Sequence, residues 1–135
     1  MAERLGALIL GLWLAMPAWA QSAAEAVQAV IGAQMSAFEA GDEARAFGYA
    51  SPGLRRFFGS SERFGAMVRQ GYPMVWRPGA VRYLGLEGQG DARRQIIEIT
   101  DGEGQTHRLE YSMIETPEGW RIDGVRFLPM PPGLS

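Results

Sequence analysis

The sequence contains no cysteine, no lysine, no asparagine and a single histidine, His107. Without cysteine the chain forms no disulfide and has no thiolate for a zinc site or for nucleophilic catalysis. Carboxylates are then the main metal ligands left, but the acidic residues of the predicted loops lack the spacing of a calcium-binding loop. These residues are Glu87, Asp91, Asp101 and Glu103. No phosphate-binding loop or nucleophile elbow is present either, so we predict no metal and no cofactor.

The charge of the chain is close to balanced. All 13 basic residues are arginine, and 15 acidic residues bring the net charge to −2. Such a balance offers no basic surface for nucleic acid or for an anionic membrane, so neither is expected as a partner. A hydrophobic content of 47% over 135 residues is typical of a single globular domain.

The first 20 residues have the pattern of a secretory signal peptide. Arg4 precedes an uncharged stretch from Leu5 to Met16, and Ala18-Trp19-Ala20 has the small residues of a cleavage site. The alternative is a membrane anchor, but a spanning helix needs about 20 apolar residues and this stretch has 12. We therefore predict a periplasmic or secreted protein with a signal peptide over residues 1–20, a single domain over 21–128 and an extended tail over 129–135.

Helix signals fill the next part of the chain. Ser22 and Glu25 have the spacing of a capping box, and Gly41 is placed to end the helix that they begin. The expected caps of three shorter helices are Asp42, Ser51 followed by Pro52, and Ser60 or Ser61. From Tyr72 to Pro78 two prolines favour an extended crossover to the second half of the chain.

The second half of the chain has strand patterns. The first predicted strand begins at Ala80. Three further strands are predicted over Arg93–Thr100, Thr106–Thr116 and Trp120–Leu128. Asp123-Gly124 interrupts the alternation of the last strand and predicts a β-bulge. Helices followed by an antiparallel meander predict an α+β fold, in which the N-terminal helices pack on a curved antiparallel sheet of about four strands.

Two resemblances accompany this layout. The order of elements, with Glu118-Gly119-Trp120-Arg121-Ile122 opening the last strand, resembles the cone-shaped fold of nuclear transport factor two, SnoaL-like cyclases and ketosteroid isomerase. Ala50-Ser51-Pro52, Phe58-Gly59 and the run from Met67 through Pro78 are similar to a bacterial family known as domain of unknown function 4864. The first resemblance implies a pocket between sheet and helices. The second implies no particular activity.

The first candidate site residues lie on the second and third predicted strands. A four-residue hairpin loop over 101–104 would place Glu98 opposite His107. A histidine beside a carboxylate suits acid/base catalysis, and the alternative is an ordinary cross-strand pair near the hairpin tip. The same register places Arg94 opposite Tyr111, where the two would bind and orient a ligand carboxylate. A shift of one residue would instead turn Arg94 outward.

Tyr72, Trp76 and Arg77 are further candidates for ligand or partner binding, because aromatic residues and arginine dominate binding hot spots. The alternative is that a crossover lying on a small core needs large side chains and prolines for rigidity. Met74 and Val75 in the same segment are typical core residues and favour that alternative.

These observations leave three functional hypotheses. The leading one is a non-catalytic module that binds a small molecule or a protein. The second is a small acid/base enzyme that uses His107, Glu98 and Tyr111. The third is a structural homodimer formed through an outer sheet face on which Ile97, Ile99 and Ile114 would be exposed, since contiguous exposed apolar area usually marks an interface.

Overall fold

The computed structural model describes residues 22–131 and has five helices followed by a four-stranded antiparallel sheet. The helices are α1 (Ala23–Glu39), α2 (Glu43–Gly48), α3 (Pro52–Phe58), α4 (Ser61–Gly71) and α5 (Pro73–Trp76). The strands are β1 (Ala80–Gln89), β2 (Ala92–Thr100), β3 (Thr106–Thr116) and β4 (Gly119–Leu128), paired in that order. The predicted α+β class is confirmed. The predicted signal peptide lies outside the described residues, and so do the last four residues of the predicted tail. None of the described helices is both long enough and apolar enough to cross a bilayer.

The helices begin where the sequence places their caps. Ser22 and Glu25 form the reciprocal capping box, and the side chains of Asp42, Ser51 and Ser60 each accept a backbone N–H bond at 3.1 Å. The crossover departs from its prediction, because α5 interrupts it. Proline is favoured at the first position of a helix, and Pro73 occupies that position in α5.

The β2–β3 hairpin has a different register from the predicted one. Its loop has five residues, because Thr100 pairs with Thr106. Asp101 accepts the N–H of Gly104 as in a tight turn, and Gly104 then adopts a left-handed φ of 84° before the strand resumes. A turn followed by a left-handed glycine adds one bulge residue to a hairpin loop. The predicted four-residue loop is therefore wrong by one residue.

This shift turns β2 over relative to the prediction. Ile97 and Ile99 face the helices and are fully buried, so the expectation that they are exposed on an outer face is wrong. Ile114 does lie on the outer face, where it is half-buried. Glu98 lies opposite Arg108 rather than His107, and Arg94 lies opposite Ser112 rather than Tyr111.

Charged side chains cover the outer face of the sheet. Glu98 accepts from Arg82 of β1 at 3.1 Å and from Arg108 of β3 at 2.6 Å. Glu110 of β3 forms the centre of a second row: Arg126 Nε donates to it at 2.7 Å and Arg94 Nε lies 3.7 Å away. Arg94 also pairs with Glu87 at 3.2 Å. The hydrogen bond from Arg108 lowers the pKa of Glu98, and the hydrogen bond from Arg126 lowers the pKa of Glu110.

A bulge in β4 joins the sheet to the helical half. Ser112 pairs with Gly124 and Met113 with Ile122, so Asp123 is the extra residue, and the predicted bulge is confirmed. At the same point the segment 49–51 runs alongside β4: Ser51 N donates to Ile122 O at 2.8 Å, and Ile122 N donates to Tyr49 O at 2.9 Å.

Ser51 completes this junction with its side chain. It is fully buried, its Oγ accepts the N–H of Leu54 at 3.1 Å, and the same hydroxyl donates to Asp123 Oδ1 at 2.6 Å. One hydroxyl therefore caps α3 and anchors that helix to the bulge of β4. We call the contacts of residues 49–51 with Ile122 and Asp123 the helix–sheet junction.

Replacing Ser51 with alanine is expected to lower the free energy of unfolding by about 2 to 3 kcal/mol, because it removes both a helix cap and a hydrogen bond to a charged group. Urea unfolding followed by circular dichroism measures the change. Ser60→Ala is the matched control, since Ser60 caps α4 through its bond to Arg63 N and makes no further side-chain hydrogen bond among the described residues. Ser60→Ala is expected to lower the free energy of unfolding by about 1 kcal/mol. Equal costs for the two variants would show that the bond to Asp123 contributes nothing.

The outer ion pairs predict a loss of stability in acid. Because Glu98 and Glu110 have lowered pKa values in the folded protein, the unfolded chain binds protons first as the pH falls. Their contribution is constant above the ordinary glutamate pKa of about 4.3 and is lost as the pH falls through the lowered values. Urea unfolding between neutral pH and pH 3 measures this dependence. In the double variant Glu98→Gln/Glu110→Gln the free energy of unfolding should depend less on pH. The control is the double variant Glu62→Gln/Glu115→Gln, which replaces two exposed glutamates and should keep the wild-type pH dependence. Identical acid profiles for the two double variants would contradict the assignment.

Candidate functional site

The inner face of the sheet and the helices enclose a cavity of ≈ 190 Å³ that is partly open to the surface. Its walls are mostly apolar, and they come from four of the five helices and from the two strands β3 and β4. The lining residues are Gln34, Leu54, Phe58, Phe64, Met67, Val68, Tyr72, Val75, Tyr111, Ile122, Gly124 and Val125. An apolar pocket with a few polar groups is typical of a small-molecule site.

Helical spacing brings the apolar walls together. Leu54 and Phe58 are four residues apart on α3, so both point to the same side of that short helix. Phe64 begins the buried face of α4, and its ring lies 5.4 Å from the ring of Phe58 and 5.9 Å from that of Phe38. These aromatic contacts hold α1, α3 and α4 together around the cavity.

Tyr111 is one of the few polar residues in the cavity wall. Its side chain is fully buried, and its hydroxyl has no hydrogen-bond partner among the described residues. Burial raises the pKa of this phenol, so it is neutral at physiological pH and can both donate and accept a hydrogen bond. A buried polar group without a partner costs about 1 to 3 kcal/mol. The hydroxyl therefore has a hydrogen-bonding capacity that none of the described residues uses.

Two other polar residues line the cavity, and each already has a partner. The Tyr72 hydroxyl donates to Val125 O at 3.1 Å, and Gln34 Nε2 donates to Ala46 O at 3.1 Å. The predicted candidate Tyr72 thus forms part of the wall. Gln34 was missed, although it lies three residues after Ile31 on the apolar stripe of α1, and that position is a signal that could have identified it.

Trp76 and Arg77 do not line the cavity. Trp76 is buried, with its ring 4.8 Å from that of Phe38 and the Arg69 guanidinium 4.2 Å from its centroid. This placement agrees with the alternative that the crossover needs large residues for rigidity. Arg77 is exposed and borders an open cleft between α5 and the β2–β3 loop.

His107 lies in that same cleft, and its carboxylate partner is Asp101 rather than Glu98. His107 Nε2 lies 2.9 Å from Asp101 Oδ2, while Asp101 Oδ1 accepts the N–H groups of Glu103 and Gln105 at 2.9 Å each. The hydrogen bond with His107 and those two amides lower the pKa of the Asp101 carboxyl. Both carboxylate oxygens are thus used in holding the loop. The cleft shares none of its lining residues with the cavity.

Arg94 and Glu98 lie on the outer face of the sheet, where both are engaged in ion pairs. The shifted hairpin register therefore separates them from Tyr111, and the predicted grouping of Arg94 with Tyr111 around one ligand is wrong. The position opposite Tyr111 belongs to Gln95, which is fully buried. Its Nε2 donates to Ile96 O at 2.9 Å, but its Oε1 has no partner among the described residues. The inner face thus carries two unpaired polar atoms on adjacent strands.

Among residues 22–131, no group of three or more histidine or acidic side chains could hold a metal ion. The polar side chain of the cavity wall that has no partner among these residues is the phenol of Tyr111, which suits hydrogen bonding to an organic ligand.

No curated protein matches the chain. Residues 20–133 match the family described as Domain of unknown function (DUF4864), and this match covers all nine elements of the fold as well as every residue of the cavity. The chain therefore belongs to the DUF4864 family.

Proposed function

We propose that the protein is a non-catalytic binding module that takes a small, mainly apolar molecule with one polar atom into the cavity. The observation that carries this proposal is that Tyr111, whose buried hydroxyl has no hydrogen-bond partner among the described residues, is one of the residues that line the apolar cavity. A ligand atom that hydrogen-bonds to this hydroxyl removes the cost of leaving it unpaired.

The size of the cavity limits the ligand. An apolar cavity of about 150 Å³ in another protein takes up benzene. A cavity of ≈ 190 Å³ therefore suits a molecule with one ring or a short chain, or the end of a longer molecule that extends through the opening. The apolar walls favour binding by burial of apolar surface, at about 25 cal/mol for each Å².

The side chains around the cavity favour binding over acid/base catalysis. None of the 12 lining residues is histidine, aspartate or glutamate. Tyr111 itself is a poor acid, because burial raises its pKa. A proton-transfer enzyme needs a group that titrates near the working pH, and the walls contain no such group.

Two wider features belong to the same proposal. The pattern of Arg4, the apolar stretch and Ala18-Trp19-Ala20 supports export to the periplasm or beyond the cell. The order of helices followed by a curved antiparallel meander supports membership of the cone-shaped fold of nuclear transport factor two and SnoaL-like proteins. A cavity between sheet and helices is what that resemblance implies.

The proposal predicts opposite effects of Tyr111→Phe on stability and on binding. Without ligand, the variant should be more stable than the wild-type protein by about 1 kcal/mol, because an unpaired buried hydroxyl is removed. Its affinity for benzyl alcohol should fall about fivefold, while its affinity for the isosteric ethylbenzene stays the same. Urea unfolding measures the first effect. Titration monitored by the NMR signals of the cavity methyl groups measures the second.

Tyr83→Phe is the matched control. Tyr83 is half-buried on the neighbouring part of the inner face, its hydroxyl donates to Gln28 O at 3.4 Å, and it does not line the cavity. Both affinities should therefore be unchanged in this variant. The proposal is wrong if the wild-type protein binds neither compound, or if Tyr111→Phe leaves the affinity for benzyl alcohol unaltered.

A further inference from the structure

Two large aromatic side chains are exposed beside the cavity. Phe57 is 77% exposed and Phe127 is 47% exposed, so neither contributes mainly to the core. We call these two residues the aromatic rim. Single exposed apolar residues are normal on a protein surface, but these two are notable because each contacts a residue of the cavity wall.

The backbone places the aromatic rim next to the cavity walls. Phe57 follows the lining residue Leu54 by three positions on α3, and its ring packs edge-on at 5.0 Å against the lining residue Phe58. On β4, Phe127 lies two residues beyond the lining residue Val125 and therefore on the same face of the strand.

Phe127 also contacts the cavity wall directly. Its ring stacks on that of Tyr72, with centroids 4.9 Å apart and planes inclined by 9°. Each rim residue is thus one side chain away from the cavity, one on the helical side and one on the sheet side. The rim borders the cavity on two sides.

The segment 51–79, which includes Phe57 and most of the cavity residues, has a strong positive charge. Residues 51–79 contain five arginines and one glutamate, a net charge of +4, so the rest of the chain carries −6 within the total of −2. The arginines are Arg55, Arg56, Arg63, Arg69 and Arg77. Arg56, which directly precedes Phe57, forms no ion pair within residues 22–131. The balanced overall charge therefore conceals a basic segment that also supplies seven of the cavity residues.

We propose that the aromatic rim docks on an anionic lipid bilayer, with Phe57 and Phe127 inserted at the level of the headgroups and the exposed Arg56 beside Phe57 facing the lipid phosphates. This inference rests on the proposed function. It names the bilayer as the source of the cavity's ligand, which is an apolar molecule dissolved among the lipids. Basic residues beside exposed aromatic ones are the chemistry of interfacial binding. The expectation that membranes are not partners depended on net charge alone.

Vesicle co-sedimentation tests this inference. The protein used is residues 21–135, which contain all nine described elements. One set of vesicles has 30% phosphatidylglycerol in phosphatidylcholine, and the other is pure phosphatidylcholine. Binding is expected to the anionic vesicles alone and to weaken several-fold between about 0.1 and 0.5 M salt, because salt screens the arginines. Absence of binding, or equal binding to both sets, overturns the inference.

Three variants locate the contact. Phe57→Ser and Phe57→Ser/Phe127→Ser should weaken partitioning to the anionic vesicles, the double variant by roughly tenfold or more. Arg56→Glu should weaken it as well. Leu84→Ser is the matched control, since Leu84 is 36% exposed but lies on β1 and does not line the cavity. Unchanged partitioning of the Phe57 variants, or an equal loss in the control, overturns the inference.

Benzyl alcohol binding by the same variants separates this inference from the proposed function. Phe57→Ser is expected to retain the wild-type affinity for this probe in the absence of vesicles, because Phe57 does not line the cavity. A protein that binds benzyl alcohol but never binds vesicles keeps the proposed function and overturns the bilayer inference. A protein that does not bind benzyl alcohol overturns the proposed function, and with it the inference that depends on it.

Discussion

The helix–sheet junction is the constraint on which the rest of the structure depends. Backbone hydrogen bonds between residues 49–51 and Ile122 attach the chain to β4 just before α3 begins, and the bond from Ser51 to Asp123 fixes the first turn of that helix. Because α3 starts from a fixed point on the sheet, Leu54 and Phe58 extend over β4 and become one wall of the cavity. A helix of seven residues has little stability of its own, so its position has to be set by such tertiary contacts.

Much of the fold could be predicted from the sequence, because its signals are local. The caps at Ser22, Asp42, Ser51 and Ser60 and the four strands follow from residue types a few positions apart. The register of the hairpin could not be predicted in the same way. It depends on the left-handed conformation of Gly104, and an Asp-Gly-Glu-Gly sequence is compatible with loops of four or five residues.

The candidate site was predictable only in part for a related reason. Tyr111 was a candidate because of its strand register and Tyr72 because aromatic residues are typical of binding hot spots, and both line the cavity. The cavity itself is a volume that side chains from six elements leave unfilled, and no local pattern encodes such a volume. Arg94 and Glu98 were assigned to the inner face through the hairpin register alone, so the error of one residue was enough to misplace both.

The bulge at Asp123 has a further effect on the shape of the cavity. Side chains of a regular strand alternate between its faces, so residues separated by three positions point in opposite directions. The additional residue resets this alternation, and Ile122 and Val125 consequently both line the cavity. The strand thus has two phases: Trp120 and Ile122 follow one, Val125 and Phe127 the other. A deletion of one residue here would leave the other residues of β4 unchanged but would turn the second half of the strand inside out, so the length of this strand is as restricted as its sequence.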